Sequence, residues 1–295
     1  MRESLVINDR NIMVKKWTIG IVNYYSSVYI RWQLKILHEF NTQKDFQVVI
    51  IDNSNDSLES FNLNKISNQY PNVTIVSRSY SCKSSEGASM QHGNGLDIAL
   101  QHAKLSKSKL FLTLDPDCFL LQSNFLNIFE NKISNGLNVF GTEYSESKKK
   151  AIKDDPNFPC AFACAYDLDV MGFDFSFTPI SNNPEKVVLA GQDVGYKIRE
   201  QFSKKPYGSF KRKKMVEPII FQSTHFAKNF EYYFFEENLI AVHFNKTSRN
   251  FSGKGNNKFY SKLFLVVIFK TLIWNFIRCR AAKKCYDFLN KSAAT

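Results

Sequence analysis

The chain has 295 residues, enough to bury a sizeable core, and its apolar (44%) and charged (22%) fractions are those of an ordinary globular protein, which excludes a disordered chain and a multi-span membrane protein. Thirty-nine Lys and Arg against 27 Asp and Glu give a formal charge of +12, which favours anionic partners: nucleotides, phosphate-bearing glycans, nucleic acid or an anionic membrane face. The six cysteines form no CxxC pair and no zinc-finger spacing, so neither a structural zinc site nor a disulfide scaffold is expected, and a reducing cytoplasm fits best.

The leader "MRESLVINDRNIMVKK" carries charges throughout and has no apolar h-region, so a secretory signal is not expected. Trp17 to Val22 ("WTIGIV") is a short β-branched run, and "SSVYIRWQLKILHEF" after it has apolar residues at helical spacing. The pattern repeats. "FQVVIID" (Phe46 to Asp52) precedes the helical "SLESFNLNKISNQY", "NVTIVS" (Asn72 to Ser77) precedes "ASMQHGNGLDIALQHA", and "KLFLTLD" closes the series. Alternating strands and helices predict an α/β fold with a mostly parallel central sheet flanked by helices.

The second half is less regular. "NVFGTEY", "AFACAYDLDV", "KKMVEPIIF" and "NLIAVHF" are strand candidates, "GQDVGYKIREQF" opens a helix, and "SESKKKAIKDDPNFP" (Ser145 to Pro159) is expected to be an exposed loop. Near the end, "LFLVVIFKTLIWNFI" (Leu263 to Ile277) is interrupted by Lys270 and falls short of the ~20 apolar residues of a spanning helix. Flanked by Lys258, Lys262, Arg278, Arg280, Lys283 and Lys284, it predicts either an amphipathic helix lying on an anionic bilayer or a core helix with a basic tail.

Ligands of parallel α/β sheets bind beyond the carboxyl ends of the strands. Asp52, Asp115 and Asp117 each fall at such an end. Pro116 has no backbone N–H to continue a strand ladder, so the "DPD" of Asp115 to Asp117 implies a turn at Pro116 that aims the two carboxylates. A shared cation is one reason to do so, and carboxylate oxygens suit Mg²⁺ or Mn²⁺, which keep several waters and bridge to substrate phosphates. A solvated acidic turn is the bland alternative.

Four segments in order, "IGIVNYY", "VVIIDNSND", "EGASMQHGNGLDIAL" and "LTLDPDCFL", resemble those of the GT-A fold nucleotide-sugar glycosyltransferases, and specifically glycosyltransferase family two. The resemblance covers Trp17 to Leu121 well and continues weakly through "AFACAYDLDVM", "GQDVGYKIRE" and "AVHFNKTSRN". It implies a leader (1–15), a nucleotide-sugar-binding half (16–121), an acceptor-binding half (122–250) and a basic amphipathic C-terminal tail (251–295). Carried over, Asp52 contacts the nucleotide base and Asn23 lines the same pocket. Asp115 approaches the ribose or the metal, Asp117 ligates a Mn²⁺ or Mg²⁺ ion that holds the diphosphate, and His243 adds a metal or diphosphate contact. Asp193 matches the general base of inverting members, with Gln192 before it where the common pattern has Glu. In "QHGNG" the family's Arg-Asn pair is missing, and His92 is a candidate for the diphosphate side.

Each residue has a structural rival: an Asx-turn cap for Asp52, a helix-start residue for Asp193, an ordinary hydrogen bond for His243. The implied activity is sugar transfer from a nucleotide diphosphate donor to a surface glycan or lipid-linked acceptor, at the cytoplasmic face of a membrane. The Lys-, Asn- and Phe-rich composition fits an AT-rich bacterial genome. Other classes fit less well. An Asp-x-Asp phosphatase normally carries its motif on the first strand, a dinucleotide oxidoreductase needs GxGxxG after it, and no nucleic-acid-binding motif is present. A degenerate, non-catalytic member of the glycosyltransferase fold stays open.

Overall fold

A computed structural model of the chain describes residues 14–78, 88–152, 154–179, 193–213, 230–235, 237–244 and 279–292. The predicted βα series is present: β1 (Trp17–Asn23), α1 (Ser27–Glu39), β2 (Phe46–Asp52), α2 (Ser57–Ser67), β3 (Val73–Ser77), α3 (Ala88–Leu105) and β4 (Leu110–Leu114). Strands β3, β2, β1 and β4 lie in that order and run parallel.

β1 shows why a doubly covered strand is written as a continuous apolar run. Its odd residues, Trp17, Ile19 and Ile21, enter a core layer with Ile30, Leu34 and Leu37 of α1. The even-numbered Val22 enters the opposite layer with Leu96, Ala99 and Leu100 of α3. α1 has no side-chain cap of its own. Glu59 of α2 supplies one, accepting from the Ser27 amide (2.8 Å) and the Ser27 hydroxyl (2.8 Å).

The glycines of "QHGNG" mark two close approaches of α3. A Cβ on Gly95 would lie 2.8 Å from a methyl of Val22, and one on Gly93 would lie 2.7 Å from the Phe177 carbonyl oxygen and 2.8 Å from Thr178 Cα. Close approach of α3 to β1 and to the 173–179 segment therefore requires both. That segment is tied to α3 by Asp97, which accepts from the Phe177 amide and the Ser176 and Thr178 hydroxyls. For Gly93→Ala, the obstacle is backbone, which cannot rotate away. Overpacking costs roughly 1–3 kcal/mol and outweighs the ~1 kcal/mol gained in helix propensity. A thermal melt should show a lower Tm for Gly93→Ala; a higher one would mean that α3 can back away from residues 177 and 178.

In the second half come β5 (Cys118–Leu120), α4 (Phe125–Ser134), β6 (Val139–Thr142), α5 (Glu146–Lys149), β7 (Cys160–Asp167), α6 (Leu168–Met171), α7 (Tyr196–Phe202), β8 (Tyr207–Lys213), β9 (Glu231–Phe235) and β10 (Asn238–His243). A last helix, α8, spans residues 279–292. The sheet continues from β4 as β7-β6-β8-β9-β10-β5, antiparallel except where β6 meets β8. β8 makes the corner: Tyr207 to Phe210 pair with β6, Lys211 to Lys213 with β9.

The chain itself forces this sheet to curl. β4 and β5 are separated only by Asp115, Pro116 and Asp117, a reach of at most ~14 Å. Five strands stand between them in the sheet, which laid flat would put them almost 30 Å apart at ~4.8 Å per strand. The run must bend back until its ends meet at the "DPD" turn. Phe162 of β7 and His243 of β10 confirm it, stacking at 4.4 Å with an interplanar angle of 12°.

Ser145 to Pro159 departs from the expected exposed loop. It contains α5, and Ile152 and Phe158 are buried because each fills a gap in one of the two core layers. Of the predicted helix at Gly191 to Phe202, the described part is helical from Tyr196 onward, after Gly195 at φ +81. Asp193 accordingly sits in the turn ahead of α7. Leu263 to Ile277 and most of "KKMVEPIIF" lie outside the described residues. Among those described, no helix is long and apolar enough to cross a membrane. α8 packs inward, with Ala281, Ala282, Cys285 and Leu289 buried and Tyr286 against Trp32 and Phe40 of the α1 region. The described cysteines, Cys118, Cys160, Cys164, Cys279 and Cys285, are all free.

Candidate active site

Strand order reverses at β1, whose neighbours β2 and β4 lie on opposite sides, and the crevice beyond their carboxyl ends is where a ligand of such a sheet binds. Asn23 closes β1, Asp52 closes β2, and Asp115 follows β4.

The "DPD" segment is a tight turn with proline at its second position, closed by the Cys118 amide donating to the Asp115 carbonyl at 3.0 Å. The turn is held from both sides. The Asp115 amide donates to the Phe162 carbonyl (2.7 Å), and the Phe244 amide donates to the Asp117 carbonyl (2.9 Å). From below, the Gln33 side-chain amide donates to the carbonyls of Asp115 (2.7 Å) and Cys118 (2.6 Å). Two carbonyls on one nitrogen fix the orientation of that amide, because the flipped form would set oxygen against oxygen.

Both carboxylates consequently face His243, which lies opposite Cys118 in the β10–β5 ladder. Asp115, Asp117 and His243 each offer a ligand atom within 4.8 Å of the others. His243 Nε2 lies 3.2 Å from Asp117 Oδ1 and 4.0 Å from Asp115 Oδ2. Two carboxylate oxygens and one imidazole nitrogen, mostly buried, make a donor set that fits a divalent cation such as Mn²⁺. Burial alone would lower the His243 pKa, but Asp117, Glu231 and Asp115 outweigh it and lift the ring to about 10. In the metal-free protein a proton thus supplies the positive charge that the two carboxylates require.

His92, in the first turns of α3, reaches the same cluster with Nε2 at 3.3 Å from Asp115 Oδ1. Burial pulls its pKa down, yet Asp115, with Asp193 and Asp117 behind it, holds it above the ordinary value. Asp193 is close enough to contribute to that shift. Its Oδ1 accepts from the Val194 amide at 2.8 Å, which fixes the carboxylate in the turn before α7.

Asp52 and Asn23 are together but turned inward. Asp52 Oδ1 accepts from Asn23 Nδ2 (3.0 Å) and from the amide (3.0 Å) and hydroxyl (2.7 Å) of Ser54, while Oδ2 accepts from the Ser60 hydroxyl (2.5 Å). Three of these bonds fall on Oδ1 and one on Oδ2, and Asp52 is 1% exposed. Its visible work is the Asx-type turn that joins β2 to α2.

Two residues of the site went unpredicted. Gln33 is a polar residue on the buried stripe of α1 (Tyr29, Ile30, Leu34, Leu37), and that misfit was its signal. Glu231 accepts from His243 Nδ1 at 3.3 Å, and its signal is the aromatic "EYYFF" just ahead of the predicted strand "NLIAVHF".

No protein-family model matches the chain, and no curated protein matches it. Among solved structures it is similar to the mannosyltransferase PcManGT from Pyrobaculum calidifontis in complex with GDP-Man and Mn²⁺, at 13% identity over 66% of this chain and 54% of that one, TM-score 0.44. It is also similar to S. aureus TarS 1–349 in complex with UDP-GlcNAc (17% identity, 68% and 60% covered, TM-score 0.42) and to an active-site mutant of LgtC (11%, 66% and 72%, TM-score 0.45). The chain thus spans little more than half of the mannosyltransferase. At such identities and scores the likeness says nothing of substrate or chemistry.

Proposed function

We propose that the chain is a metal-dependent glycosyltransferase of the inverting kind, moving a sugar from a nucleotide diphosphate donor to a glycan or lipid-linked acceptor. The observation that carries this reading is the set of three ligand atoms from Asp115, Asp117 and His243 within 4.8 Å, at the point where the strand order reverses. A bound Mn²⁺ or Mg²⁺ ion would act there as a Lewis acid, neutralising charge on the departing diphosphate. His92, beside Asp115, supports the diphosphate side. Asn23 and Asp52 floor the nucleotide pocket, where Asp52 Oδ2, bonded by the Ser60 hydroxyl alone, keeps an acceptor site for a base contact. Asp193, in the turn before α7 and within the acceptor half, accepts the proton of the acceptor hydroxyl. The net charge and the basic apolar segment at Leu263 to Ile277 support work at the cytoplasmic face of an anionic membrane.

The test is thermal stability of the full chain against UDP, GDP, CDP, CMP and dTDP, each with and without Mn²⁺. A ligand at a hundred times its Kd adds ~2.7 kcal/mol to a folded state that alone binds it. One nucleotide should raise Tm, and only with the cation present. A shift indifferent to Mn²⁺ would favour the non-catalytic nucleotide binder, and no shift at all would remove the donor-site reading.

A further inference from the structure

We propose that Glu231 is a positioning residue that presents His243 to the cation, in a carboxylate–histidine pair built across the β9–β10 hairpin; this rests on the metal-site reading above. Glu231 and His243 are directly paired in the antiparallel register, so both side chains project from one face of the hairpin. Imidazole has two nitrogens, and only one can face the aspartates. With Nδ1 at 3.3 Å from Glu231 Oε2, Nε2 is the atom left facing Asp117 and Asp115. A ring turned over about its Cβ–Cγ bond would offer Glu231 a carbon and forfeit that bond. Phe162, stacked flat at 4.4 Å, removes the tilt that remains.

Glu231 is itself braced. Its Oε1 lies 3.2 Å from Arg212 Nη2, and its Oε2 accepts from the Tyr233 hydroxyl at 3.1 Å. Arg212 comes from β8 at the corner of the sheet, so three successive strands are committed to the orientation of one ring. Arg212 also balances the Glu231 charge, so the buried carboxylate orients His243 without an uncompensated second negative charge beside it. Glu231 lies outside the set of atoms able to share an ion, and it acts through His243 alone.

The experiment measures Mn²⁺ binding to the full chain without nucleotide, by the electron paramagnetic resonance of free Mn²⁺, together with the ¹⁴N coupling that bound imidazole gives in pulsed spectra. Glu231→Ala should weaken Mn²⁺ by about 10–100-fold and weaken or shift that coupling. Glu231→Gln, which keeps an oxygen acceptor for Nδ1–H, should recover most of the affinity. If Glu231→Ala does not fold, Tyr233→Phe removes one brace and should give a smaller loss of the same kind. Wild-type affinity with unchanged ¹⁴N coupling in Glu231→Ala, alongside lost binding in Asp117→Ala, would overturn the positioning role and leave the metal site standing. Absence of Mn²⁺ binding in the unaltered protein would remove both.

Discussion

Asp117→Ala is expected to abolish the Mn²⁺-dependent rise in Tm with nucleotide and to slow the proposed sugar transfer by at least about 10²-fold. Asp117 is the better-buried carboxylate of the turn, 8% exposed against 23% for Asp115, and it makes the shorter contact with His243. Loss of a Lewis acid at a leaving diphosphate removes several kcal/mol of transition-state stabilisation, and ~1.4 kcal/mol is a factor of ten in rate. The same cluster fixes a sign for pH. His243 holds its proton up to about pH 10 in the metal-free protein, and the cation must displace it. Below that point, apparent Mn²⁺ affinity should climb by about tenfold per pH unit. Metal-free stability runs the other way. A histidine whose pKa is raised on folding contributes fully below its ordinary pKa, and the contribution is lost as pH rises through the folded value. Calorimetric titration of Mn²⁺ at about pH 6, 7 and 8, with His243→Ala as the comparison, checks the slope; equal slopes in the two proteins would exclude His243 as a ligand.

The second large effect is at Asp193. Asp193→Asn keeps the acceptor for the Val194 amide but removes the basic oxygen, so nucleotide and Mn²⁺ binding should stay near wild type while kcat falls by about 10²–10⁴-fold. Product analysis belongs with it: an α-linked donor should give a β-linked product. A product that retains the α configuration would overturn the inverting assignment, and an Asp193→Asn enzyme of unchanged kcat would move the base elsewhere.

The first half of the fold is legible because its physics is local. A strand covered on both faces must be apolar at nearly every position, and β1, β2 and β4 are fully or almost fully buried along their length. The second half writes its strands differently. β8 is half-exposed "YGSFKRK", β5 has three residues, and β9 "EYYFF" is defined by its partner more than by itself. α4 carries Phe125, Leu126, Phe129 and Ile133 at helical spacing behind Asn124, a favoured helix-start residue, so its signal is local and present in the sequence. At the site, the fold brings Asp115, Asp117, His243 and His92 together. Asp52 shows the opposite case: its position at a strand end is correct, while its occupation by Ser54 and Ser60 depends on side chains that no spacing rule specifies.

The curled sheet has a kinetic corollary. Its two ends meet only at the "DPD" turn, and the ladder that brings His243 beside Asp117 joins β5 to β10 across most of the second half of the chain. Contacts of such long sequence separation carry the largest loop-closure cost and form late. A nascent chain that has reached β4 and β5 holds both aspartates yet lacks the imidazole, and its cation affinity stays low until β10 emerges and pairs. Metal capture would therefore time-stamp the pairing of β10 with β5, and a refolding experiment followed by Mn²⁺ uptake would watch that ladder close.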